Sequence, residues 1–392
     1  MSKKIIERRN ASANVPEKNR AEIVKAEHAK KRPFIRWIIF GVIVALAVAA
    51  LVFVIINSII SNIASNISPN GSYKDTVPTI AESFKDTSAF YGDVSLLKNY
   101  AAYALTASNN HSANVNYIKD DENIFNYAIY GVENSNPDAP SADVIIIASI
   151  NKETNKLTYV LMDADALVYI PYANVVGPLK HAYNFGGGSV GGSNLLSRTI
   201  SQNFGVDIDG YVEMKMDGAV SLVDELGGIQ LAMSDEEVTK LNAAIAAYNV
   251  RFELTGDNAV PAVTKDTNGN VNLEGAQAVA YIRGVSANRE TAIFKILASV
   301  TKTAIKDGFS GINKLSKAFA ESATTSTEKD DFTTVLKLAV NATGEAVADS
   351  MNTVTLSKDA KKLVNLGKGA ICLVYSDYED TVDQLRSAIY GK

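Results

Sequence analysis

Acidic residues sit where two apolar runs of this chain begin and end. ADVIIIASI (142–150) and LTYVLM (157–162) flank the polar turn NKETNK (151–156), with Asp143 opening the first run, Asp165 just past the second, and Glu133 ten residues upstream. Short Val/Ile/Leu/Tyr-rich runs bounded by turn residues predict a β-hairpin covered on both faces. Carboxylates gathered at its open end would form an acidic cradle for a metal ion. Carboxylates at strand ends are more often plain surface groups, and residue type alone does not separate the two.

Other chemistry is thinly represented. The glycine-rich loop Asn184 to Ser193 (NFGGGSVGGS) precedes a predicted helix, 194–204, and could cradle a phosphate at a helix N-terminus; a tight connection is the simpler reading. Asp266 to Asn270 (DTNGN) hints at calcium, yet its glycine falls at the wrong offset for an EF-hand loop, so a polar turn is expected. No Gly-x-Ser-x-Gly elbow and no Walker loop is present. His28, His111 and His181 lie far apart in sequence, which argues against a histidine-rich zinc site. Cys372 is the single cysteine, so no intrachain disulfide can form.

The elements that must position these groups follow from periodicity. From Ile124 onward strands and helices alternate: the hairpin, the glycine loop and its helix, a strand at 210–216, a helix at 219–226 and a strand at 229–232. Ser234 followed by Glu237 is a capping-box pattern opening a helix to 248. Helices are predicted at 273–283, 289–306, 332–348 and 378–390, with a strand at 370–375. This is an α/β or α+β domain, helices flanking a central, mostly buried sheet, over residues 124–392.

Composition adds a membrane element. Residues 37–56 (WIIFGVIVALAVAALVFVII) run without a charge, and at about 1.5 Å per residue a helix of that length crosses the hydrocarbon of a bilayer. Residues 1–36 carry eleven Lys/Arg against four Glu, and the remainder carries 27 basic and 39 acidic side chains, a net of −12. The excess of positive charge before the helix predicts a cytoplasmic N-terminus and an extracytoplasmic domain, with the span taken to residue 60. A basic, disordered tail at 1–36, a linker at 61–78 and an accessory helical segment at 79–123 complete the plan. The tail lacks aromatic interleaving or a helix-turn-helix pattern, so attraction to anionic lipid is expected and no nucleic-acid partner.

The order of these pieces resembles the LytR-CpsA-Psr family of cell-envelope proteins over roughly residues 124–390. ADVIIIASI resembles the strand after the family's Arg-Ser-Asp motif, VLMDADALVYIP (160–171) its Pro-Arg-Asp-Thr segment, and LKHAYNFGG (179–187) its Lys-x-x-His-Ala-Tyr-x-x-Gly-Gly segment. YVEMKMDGAVSLVDELGGIQL (211–231) resembles its regular strand-helix-strand block, and LEGAQAVAYIR (273–283) its Leu-x-Gly-x-Gln-Ala-Leu-x-Tyr-x-Arg motif. The resemblance implies transfer of a glycopolymer, such as teichoic acid or capsule, from a polyprenyl-pyrophosphate carrier held in an apolar tunnel to peptidoglycan. Mg²⁺ and arginines would neutralise the pyrophosphate.

Residue by residue, the resemblance implies Glu133 and Asp143 for Mg²⁺, with Asp143, Asp165, Arg283 and Arg289 catalytic. Lys180, His181 and Tyr183 fall on the ligand side; His181 and Tyr183 either line a lipid entrance or pack against the loop. The chain departs from the family at its cations: Ser141, Ala164, Val285 and Ala292 stand where arginines are usual, and Ala166 and Ile293 replace a Thr and a Gln. Each lost bidentate contact would remove a few kcal/mol of transition-state stabilisation. The sequence therefore supports two expectations, a Mg²⁺-dependent transferase or a paralogue that binds the lipid carrier without turnover.

Overall fold

The computed structural model describes residues 121–133, 140–284, 289–306 and 371–391, positions 155, 174 and 376 apart. It also describes the shorter pieces 77–82, 321–326, 352–356 and 361–365, together with Lys74, Lys314, Lys317 and Ala318. Among the described residues no helix is long and apolar enough to cross a membrane. The expected span at 37–56, the tail before it, most of the accessory segment and the helix expected at 332–348 lie outside them.

The apolar runs form the centre of a six-stranded mixed sheet. Strands β1 (Ile124–Glu133), β2 (Ser141–Asn151) and β3 (Lys156–Met162) make an antiparallel meander in which Ile150 faces Leu157 and Ile145 faces Met162, the predicted hairpin. Small strands β4 (Leu167–Ile170) and β5 (Val175–Pro178) pair beside it. Strand β6 (Gly210–Lys215) lies parallel to β1. Strands β7 (Ile229–Ala232) and β8 (Asn270–Leu273) form a separate pair, and β9 (Ala323–Thr325) and β10 (Asn352–Thr355) close the main sheet in the order β10-β3-β2-β1-β6-β9. A last pair, β11 (Lys361–Asn365) and β12 (Ile371–Tyr375), follows.

Helices cover both faces. On one side lie α1 (His181–Phe185), α2 (Ser189–Phe204) and α7 (Tyr378–Tyr390), with β4 and β5; their core gathers Tyr130, Ile145, Ile147, Phe185, Leu196, Phe204 and Leu385. On the other lie α3 (Met216–Glu225), α4 (Asp235–Arg251), α5 (Gly275–Gly284) and α6 (Arg289–Lys306), packed on Ile129, Val144, Ile146 and Val212. Burial on both faces explains why β2 is buried from Ala142 to Ile150 and reads as a continuous apolar run instead of an alternation. Helix α4 opens with the expected capping box: Ser234 Oγ accepts from the Glu237 N–H, and the Glu237 carboxylate accepts from the Ser234 N–H.

The glycine-rich stretch differs from its prediction. Ser189 to Ser193 belong to α2, so Gly191 and Gly192 lie inside a helix. A Cβ on Gly192 would strike the Tyr183 carbonyl and ring, and one on Gly191 would strike Gly186. These glycines let α1 and α2 approach backbone to backbone, with Gly187 and Gly188 at positive φ forming the bend between them. Residues 79–81 are irregular, held by the Ala81 N–H on the Phe185 carbonyl.

Candidate functional site

The open end of the hairpin carries a β-bulge. Gly131 pairs with Val144 and Val132 with Ala142, so Asp143 has no partner across the β1–β2 ladder and is the extra residue. Bulges bend a strand and re-aim one side chain. Here the re-aimed group is a carboxylate only 1% exposed, whose Oδ1 accepts from Ser141 Oγ at 2.7 Å and whose Oδ2 has no hydrogen-bond partner among the described residues. Burial pushes the Asp143 carboxyl up to about 7. The Lys180 ammonium and the Ser141 hydroxyl oppose that rise, and the charges of Asp165 and Glu133 add to it.

Asp165 comes from the loop between β3 and β4, and the fold fixes that loop from two directions. Lys180 and Leu179 donate backbone hydrogen bonds to the carbonyls of Ala164 and Ala166, and Leu373 of β12 donates to the Asp165 carbonyl. Lys180 is thereby aimed at the acid beside it, its Nζ 2.6 Å from Asp165 Oδ1. Asp165 Oδ2, also buried, lacks a hydrogen-bond partner among the described residues. Glu133 ends β1 opposite Ser141, and its Oε2 accepts from Arg251 Nη2 at 3.0 Å. The expected acids Glu133, Asp143 and Asp165 are thus brought together, with Lys180 among them and Arg251 beside Glu133.

The remaining expected residues sit less directly at this cluster. The His181 imidazole, enclosed and next to the Lys180 ammonium, is held down to about 3 and is neutral at physiological pH. Tyr183 is 2% exposed; its hydroxyl accepts from the Ser189 N–H and lies against Glu213. Arg283 lies in the last turn of α5 and Arg289 opens α6, but their side chains lie outside the described residues, as does Val285. Ala164 and Ala292 are buried in apolar cores, so no cation reaches the cluster from them.

Two residues escaped the sequence. Arg251, the last residue of a helix, reads as a cation complementing the helix dipole, and nothing in its neighbourhood points to a site. Glu213 sits in a strand whose polar positions alternate, and so reads as solvent-facing, yet it is 2% exposed and accepts from Ser193 Oγ at 2.7 Å. Among the described residues no group of three or more His, Cys, Asp and Glu side chains lies close enough to hold a metal. The pair Asp143 and Asp165 offers two unsatisfied carboxylate oxygens, the hard donors that Mg²⁺ takes.

Comparison with known proteins agrees with this architecture. Over 171 residues the chain is 28% identical to the polyisoprenyl-teichoic acid–peptidoglycan teichoic acid transferase TagU of Oceanobacillus iheyensis, covering 43% of this chain and 46% of that protein. The TagU of Enterococcus faecalis is 29% identical over 142 residues, 36% of this chain and 38% of its own length. The match thus spans less than half the length of these curated relatives. A Streptococcus agalactiae protein of known crystal structure superposes with a TM-score of 0.53 at 19% identity, covering 69% of this chain and 89% of that one, which establishes the same fold. The LytR_cpsA_psr family model matches residues 93–366, and with that span matched the chain belongs to the LytR_cpsA_psr family.

Proposed function

We propose that this chain is a membrane-anchored, extracytoplasmic transferase that moves a glycopolymer from a polyprenyl-pyrophosphate carrier to peptidoglycan. The observation that carries this reading is the pair of buried acids at the bulge, Asp143 and Asp165, each with an Oδ2 that no group among the described residues satisfies. A buried polar atom without a partner costs about 1–3 kcal/mol, more when charged, and native folds retain such atoms where a ligand or ion completes them. The activity named for the TagU relatives supports the same direction.

Asp143 and Asp165 would hold Mg²⁺, which characteristically takes one or two carboxylates and fills its octahedron with waters and substrate phosphates. Glu133 Oε2 is paired with Arg251, and Glu133 is kept in this reading as the further carboxylate expected beside the ion. Bound Mg²⁺ would offset charge on the pyrophosphate. Lys180 adds a fixed positive charge beside Asp165, and neutral His181 can donate or accept a hydrogen bond without adding charge. Arg283 and Arg289 contribute further phosphate contacts in this reading, residues 37–56 anchor the chain in the bilayer, and the basic tail stays in the cytoplasm.

The test uses the full chain in detergent with Mg²⁺, a lipid-linked wall polymer and peptidoglycan. Transfer is expected, and Asp143→Ala should reduce it about 100-fold or more. No transfer by the wild type, together with failure to complement a strain lacking its paralogues, sinks the proposal. A second reading is favoured by the burial of Ala164 and Ala292 in apolar surroundings: a carrier-binding paralogue that copurifies with polyprenyl lipid but turns nothing over. Any transfer that Asp143→Ala abolishes rules this second reading out.

A further inference from the structure

The turn that carries Asp165 is gripped from two sides. Its ends are joined by the Ala166 N–H on the Asp163 carbonyl, which makes 163–166 a four-residue turn with Asp165 at its third position. Leu179 and Lys180 hold it from one side, and β12 holds it from the other. Leu373 bridges to Ala166 and donates its N–H to the Asp165 carbonyl at 2.7 Å, while the Tyr375 hydroxyl donates to Asp163 Oδ2 at 2.9 Å. Burial pushes the Cys372 thiol between them up, with the Asp165 charge adding to the rise and the Lys180 ammonium opposing it. Strand β12 therefore lies directly against the acid site, although it falls past residue 366, where the family match ends.

These contacts differ in what they depend on. The hydrogen bonds from Leu179, Lys180 and Leu373 are made by peptide groups, which nearly any sequence in this conformation supplies. The bond from Tyr375 to Asp163 is made by side chains and belongs to this sequence. The Tyr375 ring is 1% exposed, packed in the core that holds β4, β5 and α7, so its hydroxyl has a fixed origin. A four-residue turn leaves little slack between its first residue, which that hydroxyl holds, and its third, which carries the buried carboxylate. Mg²⁺ demands near-ideal octahedral geometry, and groups that orient its carboxylates matter nearly as much as the carboxylates themselves.

We propose that Tyr375 is a positioning residue for the Mg²⁺ site, holding the Asp165 turn in place beside Asp143 by way of Asp163. This rests on the reading of Asp143 and Asp165 as the groups that hold Mg²⁺.

The experiment titrates Mg²⁺ into the full chain in detergent by calorimetry, reading dissociation constant and stoichiometry separately. Tyr375→Phe keeps the ring and removes the hydroxyl; it should weaken Mg²⁺ about 10-fold at unchanged stoichiometry. Asp163→Asn retains an oxygen that accepts from Tyr375, and in that background Tyr375→Phe should still weaken Mg²⁺. Asp163→Ala retains none, and there Tyr375→Phe should change nothing further. Comparison within each background cancels the charge lost at residue 163. Equal weakening by Tyr375→Phe in the wild-type and Asp163→Ala backgrounds overturns the proposal, and so does a loss of binding sites at an unchanged constant, which marks misfolding. If Asp165→Asn weakens Mg²⁺ while Tyr375→Phe does not, the site reading stands and the role of Tyr375 falls. If the wild type binds no Mg²⁺, both fall.

Discussion

Two buried acids a few strands apart, Asp143 and Glu213, differ in how they are satisfied, and the difference separates a site from a scaffold. Glu213 lies on β6, a parallel neighbour of β1, and its carboxylate is met by Ser193 Oγ and by the Tyr183 hydroxyl. Burial raises its pKa, but those two hydroxyls work against the rise, so its polar atoms are served within the protein. Asp143 lies on a bulge, accepts from Ser141 Oγ, and keeps a second oxygen unserved among the described residues. A satisfied buried carboxylate ties α1 and α2 to the sheet; one with an oxygen unserved among the described residues is where a ligand or ion would be completed in the proposed reading.

Substitution should separate the two. The largest effect is expected for Asp143→Ala, which should lower polymer transfer about 100-fold or more with little loss of folded protein, measured with the lipid-linked donor. Glu213→Ala should do the reverse. Leaving Ser193 and Tyr183 without their shared acceptor and opening a cavity between β6 and α2 should remove about 2–4 kcal/mol of stability, read by denaturant melts. If Glu213→Ala lost transfer at full stability, the division between site and scaffold would be wrong.

A pH experiment sharpens the same contrast. The Asp143 carboxyl at about 7 stands above its unfolded value of about 3.9. The folded state therefore holds the proton more tightly, and stability from this group is full below pH 4 and lost as pH rises towards 7. Asp143→Asn should stabilise the metal-free protein at pH 8 by on the order of 2 kcal/mol, and the gain should vanish near pH 4. The full linkage value is larger, but the amide forfeits the attraction of Lys180 and must accommodate the Ser141 hydroxyl. Melting curves at the two pH values check it, and a pH-independent shift would contradict the burial of this charge.

The smallest effect belongs at the surface. Lys74 sits 2.6 Å from Asp207 and 3.4 Å from Asp209, and its carbonyl accepts from Arg198 Nη2, which fastens the linker end to α2. Its side chain is 41% exposed, so Lys74→Ala should change stability by less than about 1 kcal/mol and leave transfer intact.

Local signals in the chain fixed a good deal of this. The hairpin at 142–162, the capping box at Ser234, the ends of α6 and α7, and the gathering of Glu133, Asp143 and Asp165 all follow from patterns within a few residues or from motif order. Near-neighbour periodicity and capping are local physics, so the sequence carries them openly. The bulge at Asp143 depends on the register of β2 against β1, set by side chains across the sheet. The burial of Glu213 depends on β6 lying between β1 and β9, covered by helices on both faces. The glycines at 191 and 192 could be understood as helix contacts only once α1 was packed on α2. Arg251 reaches Glu133 across 118 residues of chain. The sequence alone pointed to the acids at the open end of the hairpin and to the arginines missing beside them; tertiary packing decided which of their oxygens stay unsatisfied among the described residues and which cations stand beside them, because those facts arise only when distant strands and helices meet.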